Sequence, residues 1–351
     1  MTGTVKIGLT SPLSGAEANL GQDAEHGIQL AIDQLKTSDP GVSYQLVTAD
    51  DQCAPAGGAS AYGNLIDVQQ VDVIIGSACS GATLGGMPLL QRGQVPGVTF
   101  GATNPQISQQ SGVGGNAFSW RMNIDDSIIG ATFSKFIASQ GVKTIAFLGQ
   151  NNDFGRGAAA VYQADLPSDG VKFVDTEYFT VGATDLRPQL TKIASLHPDG
   201  LLFFAEAADC ANLVNQSHEL GLTFKIFSRA ACTNQEAINA MTNPQWGNGI
   251  VEASYWVQTP DQPVIAAFQA KFGTFPPYNA ALAYYCMLTI DRAVQAGGAS
   301  RSGIEAGLAK VNWQSAIGPI TFDAHHQAHP NLFLATIKDG KPAVLQVVPT
   351  S

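Results

Sequence analysis

Gly200-Leu-Leu-Phe-Phe-Ala-Glu-Ala-Ala-Asp-Cys210 decides the fold: an apolar run, a few small and acidic residues, then a cysteine at the start of a helix-like stretch. The same layout recurs in Phe224-Lys-Ile-Phe-Ser-Arg-Ala-Ala-Cys232. The first half of the chain repeats it in Ser43-Tyr-Gln-Leu-Val-Thr-Ala-Asp-Asp-Gln-Cys53 and Val71-Asp-Val-Ile-Ile-Gly-Ser-Ala-Cys79. Each run reads as a buried strand. In a doubly wound sheet the carboxyl ends of parallel strands line the ligand crevice. Four cysteines at four such ends imply two lobes, each with a disulfide at its cleft edge: Cys53 with Cys79 and Cys210 with Cys232. Cys286, on the apolar helix face Ala283-Tyr-Tyr-Cys-Met-Leu, is left as a buried core thiol.

The bulk properties agree. A chain of 351 residues suits two lobes better than one core. Hydrophobic residues make up 45% and charged residues 13%, which places it among compact proteins and not disordered ones. The net charge of −10, without any Lys/Arg-rich run, argues against nucleic acid as a partner, because phosphate binding needs a clustered basic surface. No stretch of about 18 apolar residues is present to span a bilayer. The opening Met1-Thr-Gly-Thr-Val-Lys-Ile-Gly enters a strand at once, so Met1 reads as a start placed on a mature exported chain. Paired cysteines point the same way, to an oxidising compartment. A cytosolic protein with five reduced thiols is the competing reading.

Strand and helix alternate along the chain. Strands are expected at 5–9, 44–49, 71–75 and 98–100, separated by helices at 22–35, 56–68 and 83–91. The pattern restarts with a helix at 128–140. It continues through strands at 144–148, 171–179, 200–204 and 225–227, with helices at 155–166, 186–195, 209–220 and 233–241. Helices at 263–272, 280–296 and 304–309 follow, then strands at 318–323 and 332–338. Such alternation predicts an α/β fold of two doubly wound parallel-sheet lobes built from right-handed βαβ units.

Several motifs, in this order, carry a family resemblance. They are Ile7-Gly-Leu-Thr-Ser-Pro-Leu-Ser-Gly15, Gly21 with Gly27, Asp50-Asp-Gln-Cys53, Ile75-Gly-Ser-Ala-Cys-Ser80 and Phe100-Gly-Ala-Thr-Asn-Pro105. Asn152-Asp-Phe-Gly-Arg-Gly157, His197-Pro-Asp-Gly-Leu, Gly221-Leu and Gly318-Pro-Ile-Thr-Phe-Asp323 complete the set. The chain resembles, over essentially its whole length, the periplasmic solute-binding proteins of leucine/isoleucine/valine-type ABC importers, the type I binding-protein fold. Cys53 and Cys79 match that family's first disulfide. The resemblance implies a chain that crosses between lobes three times, placed near Met122, Tyr255 and Gln327. Lobe 1 would then be residues 1–121 with 256–327, and lobe 2 residues 122–255 with 328–351. It also implies a ligand captured between lobes that hinge closed on it, a membrane permease as partner, a monomer, and no cofactor.

Ser80-Gly-Ala-Thr83 follows a strand and opens a helix, so its hydroxyls and backbone N–H groups can face an anion. Gly101-Ala102-Thr103 follows the next strand and offers a second hydroxyl with an approachable backbone. In the family the residues at Ser80, Gly101 and Thr103 hold a ligand carboxylate. The plainer reading is that Ser80 and Thr103 cap helices. The second lobe departs from the pattern. Where amino-acid binders place an acid for the ligand's ammonium, this chain has Ala230. A flanking tyrosine is replaced by Ala207, and Phe154 stands where an aromatic covers the ligand. A buried ammonium needs an anionic partner, so either Glu206 or Asp209 supplies it or the ligand carries none. Arg229 could meet a second carboxylate or polar group; an exposed or interlobe ion pair is the other reading. Trp120, Tyr255, Trp256 and Tyr278 are further aromatic candidates.

His325-His-Gln-Ala-His329 reads as a surface loop and not a metal site, with Asp323 at no ligand spacing to it. Gly57-Gly58 and Gly85-Gly86 lack the Gly-Lys-Ser/Thr of a phosphate loop. No base is placed to activate a serine or cysteine, so no enzyme is expected. A repressor would need a basic module ahead of Val5, and a receptor a membrane span. The expected function is an extracytoplasmic binder of a small carboxylate, with a freestanding periplasmic sensor as the alternative.

Overall fold

A computed structural model describes residues 3–38, 40–229, 231–259 and 262–350. It divides into two compact units, residues 3–125 with 262–330 and residues 126–259 with 331–350. The chain passes between them after Asp125, just before Gln262 and after Pro330. Each passage lies a few residues beyond the positions expected from sequence, Met122, Tyr255 and Gln327, for local reasons. The Met122 N–H donates to Thr99 O and the Arg121 guanidinium pairs with Asp125, which keeps 122–125 in the first unit. Val257 packs with Phe333 and Ala335, which keeps 256–259 in the second. The Ala328 N–H donates to Arg121 O, which holds the last passage back.

In the first unit β1 (Gly3–Ser11), β2 (Val42–Asp50), β3 (Val73–Gly76), β4 (Gly97–Thr99) and β5 (Ser119–Arg121) form one parallel sheet in the order β2-β1-β3-β4-β5. Val5, Ile7, Leu9 and Val73–Ile75 are fully buried, because crossover helices cover both faces of such a sheet. The helix Ala18–Ser38 packs on Tyr278–Gly297, and Gly27 permits this: a Cβ there would lie 2.0 Å from Ala280 O. The expected helix 56–68 is an α-helix, Pro55–Gly63, that loosens into a π turn at Asn64–Val68.

In the second unit β6 (Thr144–Gln150), β7 (Lys172–Phe179), β8 (Gly200–Phe204), β9 (Lys225–Arg229) and β10 (Val251–Ser254) run parallel. A hairpin of β11 (Asn312–Ser315) and β12 (Gly318–Thr321) belongs to the first unit. β13 (Leu332–Lys338) and β14 (Lys341–Val348) return to the second sheet antiparallel, giving the order β14-β13-β10-β9-β8-β6-β7. In each sheet the strand order turns at one strand, β1 in the first and β6 in the second. The carboxyl ends beside such a switch point are where doubly wound sheets take ligands.

Candidate functional site

Both cysteine pairs expected from the sequence are bonded, Cys53 to Cys79 and Cys210 to Cys232, and Cys286 is a buried free thiol. The first bridge needs an unusual backbone. Gln52 and Cys53 both adopt left-handed conformations, at φ 52° and 55°. Two carboxylates hold that bend: Asp50 accepts the Gln52 N–H at 3.0 Å and Asp51 the Cys53 N–H at 3.0 Å. Asp51 also accepts from the hydroxyls of Thr10 at 3.0 Å and Ser77 at 2.6 Å, which ties the ends of β1, β2 and β3 together. Burial pushes its carboxyl above the usual range, against those hydrogen bonds.

Ser80 is the first residue of the helix Ser80–Gly93 and does not cap it; Cys79 precedes it without a side-chain cap bond. The Ser80 hydroxyl oxygen instead accepts from the N–H groups of Thr103 and Asn104, each at 3.3 Å. An oxygen that accepts twice keeps its own hydrogen for a further acceptor. The uncapped first turn adds backbone donors on the same side, so the β3 end carries a donor set suited to an anion. The short helix Gln106–Gln109 has Pro105 at its N-cap position, and Asn104 Oδ1 takes the Gln106 N–H at 3.0 Å. Gly101 presses on the loop before Ser80; a Cβ there would lie 2.8 Å from Ala78 Cα. The Ala102 N–H donates to Ser77 O at 3.1 Å, and the Asn123 amide to Gly101 O at 2.9 Å. Ser80, Gly101, Ala102 and Thr103 are thus gathered at one place by the ends of β3 and β4.

In the second unit the carboxylates near the strand ends are bound from inside. Glu206 and Asp209 form a reciprocal capping box at the helix Ala207–Glu219. Asp209 accepts from the Glu206 N–H at 3.2 Å and the Gln150 amide at 2.9 Å, and burial raises its carboxyl. Glu252, on β10, is fully buried and accepts from the Ser228 and Thr233 hydroxyls and the Cys232 and Thr233 N–H groups. Asp126 lies 3.2 Å from Arg229 Nε. Arg229 is 3% exposed, and its partner Asp126 is in the same unit. Ala230 lies outside the described residues. Phe154 is half-buried against Phe204 at 5.7 Å, with the Arg229 guanidinium 5.3 Å from its ring centre.

Of the other aromatic candidates, Trp120, Tyr255 and Trp256 are buried. Trp120 stacks on His326 at 3.5 Å and donates its indole N–H to Glu305, so it is wall structure of the first unit. Tyr255 and Trp256 are buried, Tyr255 with its ring centre 4.5 Å from the Arg229 guanidinium. Tyr278 begins the helix Tyr278–Gly297. In the histidine tract, His326 faces Ser119 O at 3.1 Å and His329 pairs with Asp323 at 3.0 Å. Sequence reasoning missed Asp51 and Glu252, the buried carboxylates that fix the two disulfide-bearing loops; the adjacent Asp50-Asp51 before Cys53 was the available signal for the first.

Two doubly wound units with donors gathered at strand ends are the architecture of a two-lobed solute binder. Residues 4–342 match the periplasmic binding protein family, and the chain belongs to it. An amino acid binding protein of Pseudomonas aeruginosa is 27% identical over 250 residues, which span 70% of this chain and 66% of that one. The branched-chain amino acid transporter substrate binding protein LivJ of Streptococcus pneumoniae, solved with isoleucine, is 24% identical with a TM-score of 0.86, covering 99% of each chain. An ABC transporter solute binding protein of R. palustris, solved with benzoate, superposes with a TM-score of 0.90 at 21% identity, covering 99% of this chain and 97% of that one. The two structures share this chain's fold.

Proposed function

We propose that this chain is an extracytoplasmic solute-binding protein that takes a small carboxylate lacking an α-amine, aromatic acids foremost, and delivers it to the membrane permease of an ABC importer. The carboxylate is held by the Ser80 hydroxyl hydrogen, Thr103 and the first-turn amides, with Gly101 and Ala102 shaping the approach.

One observation supports the ligand class above others. Asp126, Asp209 and Glu252 already serve Arg229, Gln150 with the Glu206 N–H, and the 228–233 loop. The sequence places Ala230 where amino-acid binders carry their acid. An ammonium brought beside Arg229 would meet a guanidinium and carboxylates already engaged, and burying it unpaired costs several kcal/mol. The relatives allow either class, since one was solved with isoleucine and another with benzoate. A second reading keeps an amino acid, because Glu206 is half-exposed and could turn toward an ammonium.

A thermal-shift screen of amino acids, 2-oxo acids and benzoates tests the proposal. A ligand at about 100 times its dissociation constant adds roughly 2.7 kcal/mol. Shifts from the amine-free acids support it; shifts confined to amino acids reject it.

A further inference from the structure

β9 and β10 run parallel, so Lys225 and Ile250 both lie at the amino edge of the second sheet. A pocket of about 270 Å³ opens at that edge, between the end of the helix Ala207–Glu219, the starts of the two strands and the helical turn Pro244–Gly247. All of it belongs to one compact unit. Val214, Leu222, Ile226 and Ile250 give the pocket an apolar floor, and Trp246, stacked on His218 at 3.6 Å, forms a wall. Leu222, Phe224, Ile226 and Trp246 pack on the core of the unit yet stay partly exposed where the pocket meets them. Ser217, 5% exposed, lines the same pocket, and its hydroxyl has no hydrogen-bond partner. A helical serine can satisfy itself on the carbonyl one turn back. This one does not, and native interiors leave few such groups open. Charge narrows the choice of occupant. No carboxylate is found among the described residues lining the pocket, so a cation meets no partner there. Lys225 is exposed and donates to Gln140 O at 2.6 Å. An anion drawn down to the Ser217 hydroxyl would lose its hydration without a charge partner at that depth.

We infer that this pocket is a second ligand site, taking an uncharged aromatic ring that carries one polar oxygen. The oxygen accepts the Ser217 hydroxyl hydrogen. The ring lies among Trp246, Phe224 and the aliphatic side chains, where aromatic contacts add to the burial of apolar surface. The size agrees with a small ligand. About 150 Å³ suffices for benzene, and drug-sized ligands take roughly 300 Å³ or more. A pocket of about 270 Å³ therefore fits one substituted or fused ring. Doubly wound sheets take their usual ligands at the carboxyl edge. This site is at the amino edge and does not rest on the carboxylate reading above.

Benzamide is the probe: it is uncharged and aromatic, carries one carbonyl oxygen, and lacks the carboxylate that the crevice reading requires. The chain has four tryptophans, so fluorine spectra of the whole protein labelled with 5-fluorotryptophan report each one, with the Trp246 signal identified through Trp246→Phe. Benzamide should move the Trp246 signal saturably, with half-saturation at about 1–10 mM or below. The signals of Trp120, Trp256 and Trp313 should stay in place. Cyclohexanecarboxamide, the same amide on a saturated ring, should bind at least about twofold more weakly. Ser217→Ala removes the hydroxyl without breaking an existing hydrogen bond, so the variant should melt at or above the wild-type temperature. In it benzamide should bind roughly two- to tenfold more weakly. A Trp246 signal that drifts without saturating overturns the inference, as does a shift seen at Trp120 or Trp256 instead. Equal affinity for the two amides, or undiminished affinity in Ser217→Ala, also overturns it. Failure of every acid in the thermal-shift screen rejects the carboxylate reading and leaves this one standing.

Discussion

Replacing Ser80 by alanine separates an anion donor from a structural tether. Its oxygen accepts two backbone N–H groups at 3.3 Å each, and the side chain is 2% exposed. Both bonds are long, so each contributes at the low end of the usual range, about 0.5–1 kcal/mol. Ser80→Ala should therefore lower stability by about 1–2 kcal/mol, a melting shift of roughly 2–8 °C for a unit of this size. The hydroxyl hydrogen, left over after two acceptances, would donate to a carboxylate, and a hydrogen bond to a charged group contributes about 1.5–3 kcal/mol. The dissociation constant for the best acid should rise roughly 10- to 150-fold. Calorimetry and a melt on the same preparation give both quantities. A melting shift of the expected size with affinity changed by less than about threefold would refute the role in binding and leave Ser80 as a tether only.

Gly101→Ala should cost about 1–3 kcal/mol and weaken acid binding, because its Cβ would sit 2.8 Å from Ala78 Cα and both sides of the clash are backbone; a melt and a titration check it. The two disulfides close separations of 26 and 22 residues, so each stabilises by roughly 3 kcal/mol and reduction should lower the melting point markedly. Thiol titration should find none reactive in the native oxidised protein and one, Cys286, after denaturation. Glu305, raised by burial from its ordinary 4.5 to about 7 despite the Trp120 N–H, binds its proton more tightly folded than unfolded. Its contribution to stability is full below about pH 4.5 and lost as pH rises toward 7. The neighbouring His326 is shifted down by burial and works in the opposite sense, so the difference in melting point between wild type and Glu305→Gln isolates the glutamate. That difference should grow in favour of the variant from pH 5 to 7.5.

Strands that were mainly apolar runs were legible in the sequence. Val71–Ile75 and Gly200–Phe204 announced themselves, and the cysteines at their ends placed both bridges. Two strands escaped for one physical reason: each holds a buried charge that breaks the apolar run. β5 carries Arg121, whose guanidinium donates to Gln327 at 2.7 Å and to Asn104 O at 2.9 Å. β10 carries Glu252, bonded to Ser228 and the 232–233 loop. Apart from Asp125 beside Arg121, their partners are far away in sequence, so little local marks either residue as internal. β14 escaped for the opposite reason: it is an edge strand with Leu345 and Val347 exposed and a bulge opposite Leu334, so its alternation is blurred. At the site, strand-end placement singled out Ser80 and Gly101–Thr103. The burial of Arg229 against Asp126 depends on how the sheet packs and left no trace in the sequence pattern.

The central claim, that the ligand is a carboxylate without an α-amine, is tested most directly by a matched pair differing only at the α-carbon. Titration calorimetry should compare 4-methyl-2-oxopentanoate with leucine against the same wild-type preparation. The account predicts that the 2-oxo acid binds and that leucine binds at least roughly 100-fold more weakly, since an ammonium left without an anionic partner costs several kcal/mol. Leucine binding as tightly as the oxo acid or tighter, and lost in Glu206→Gln, would contradict it.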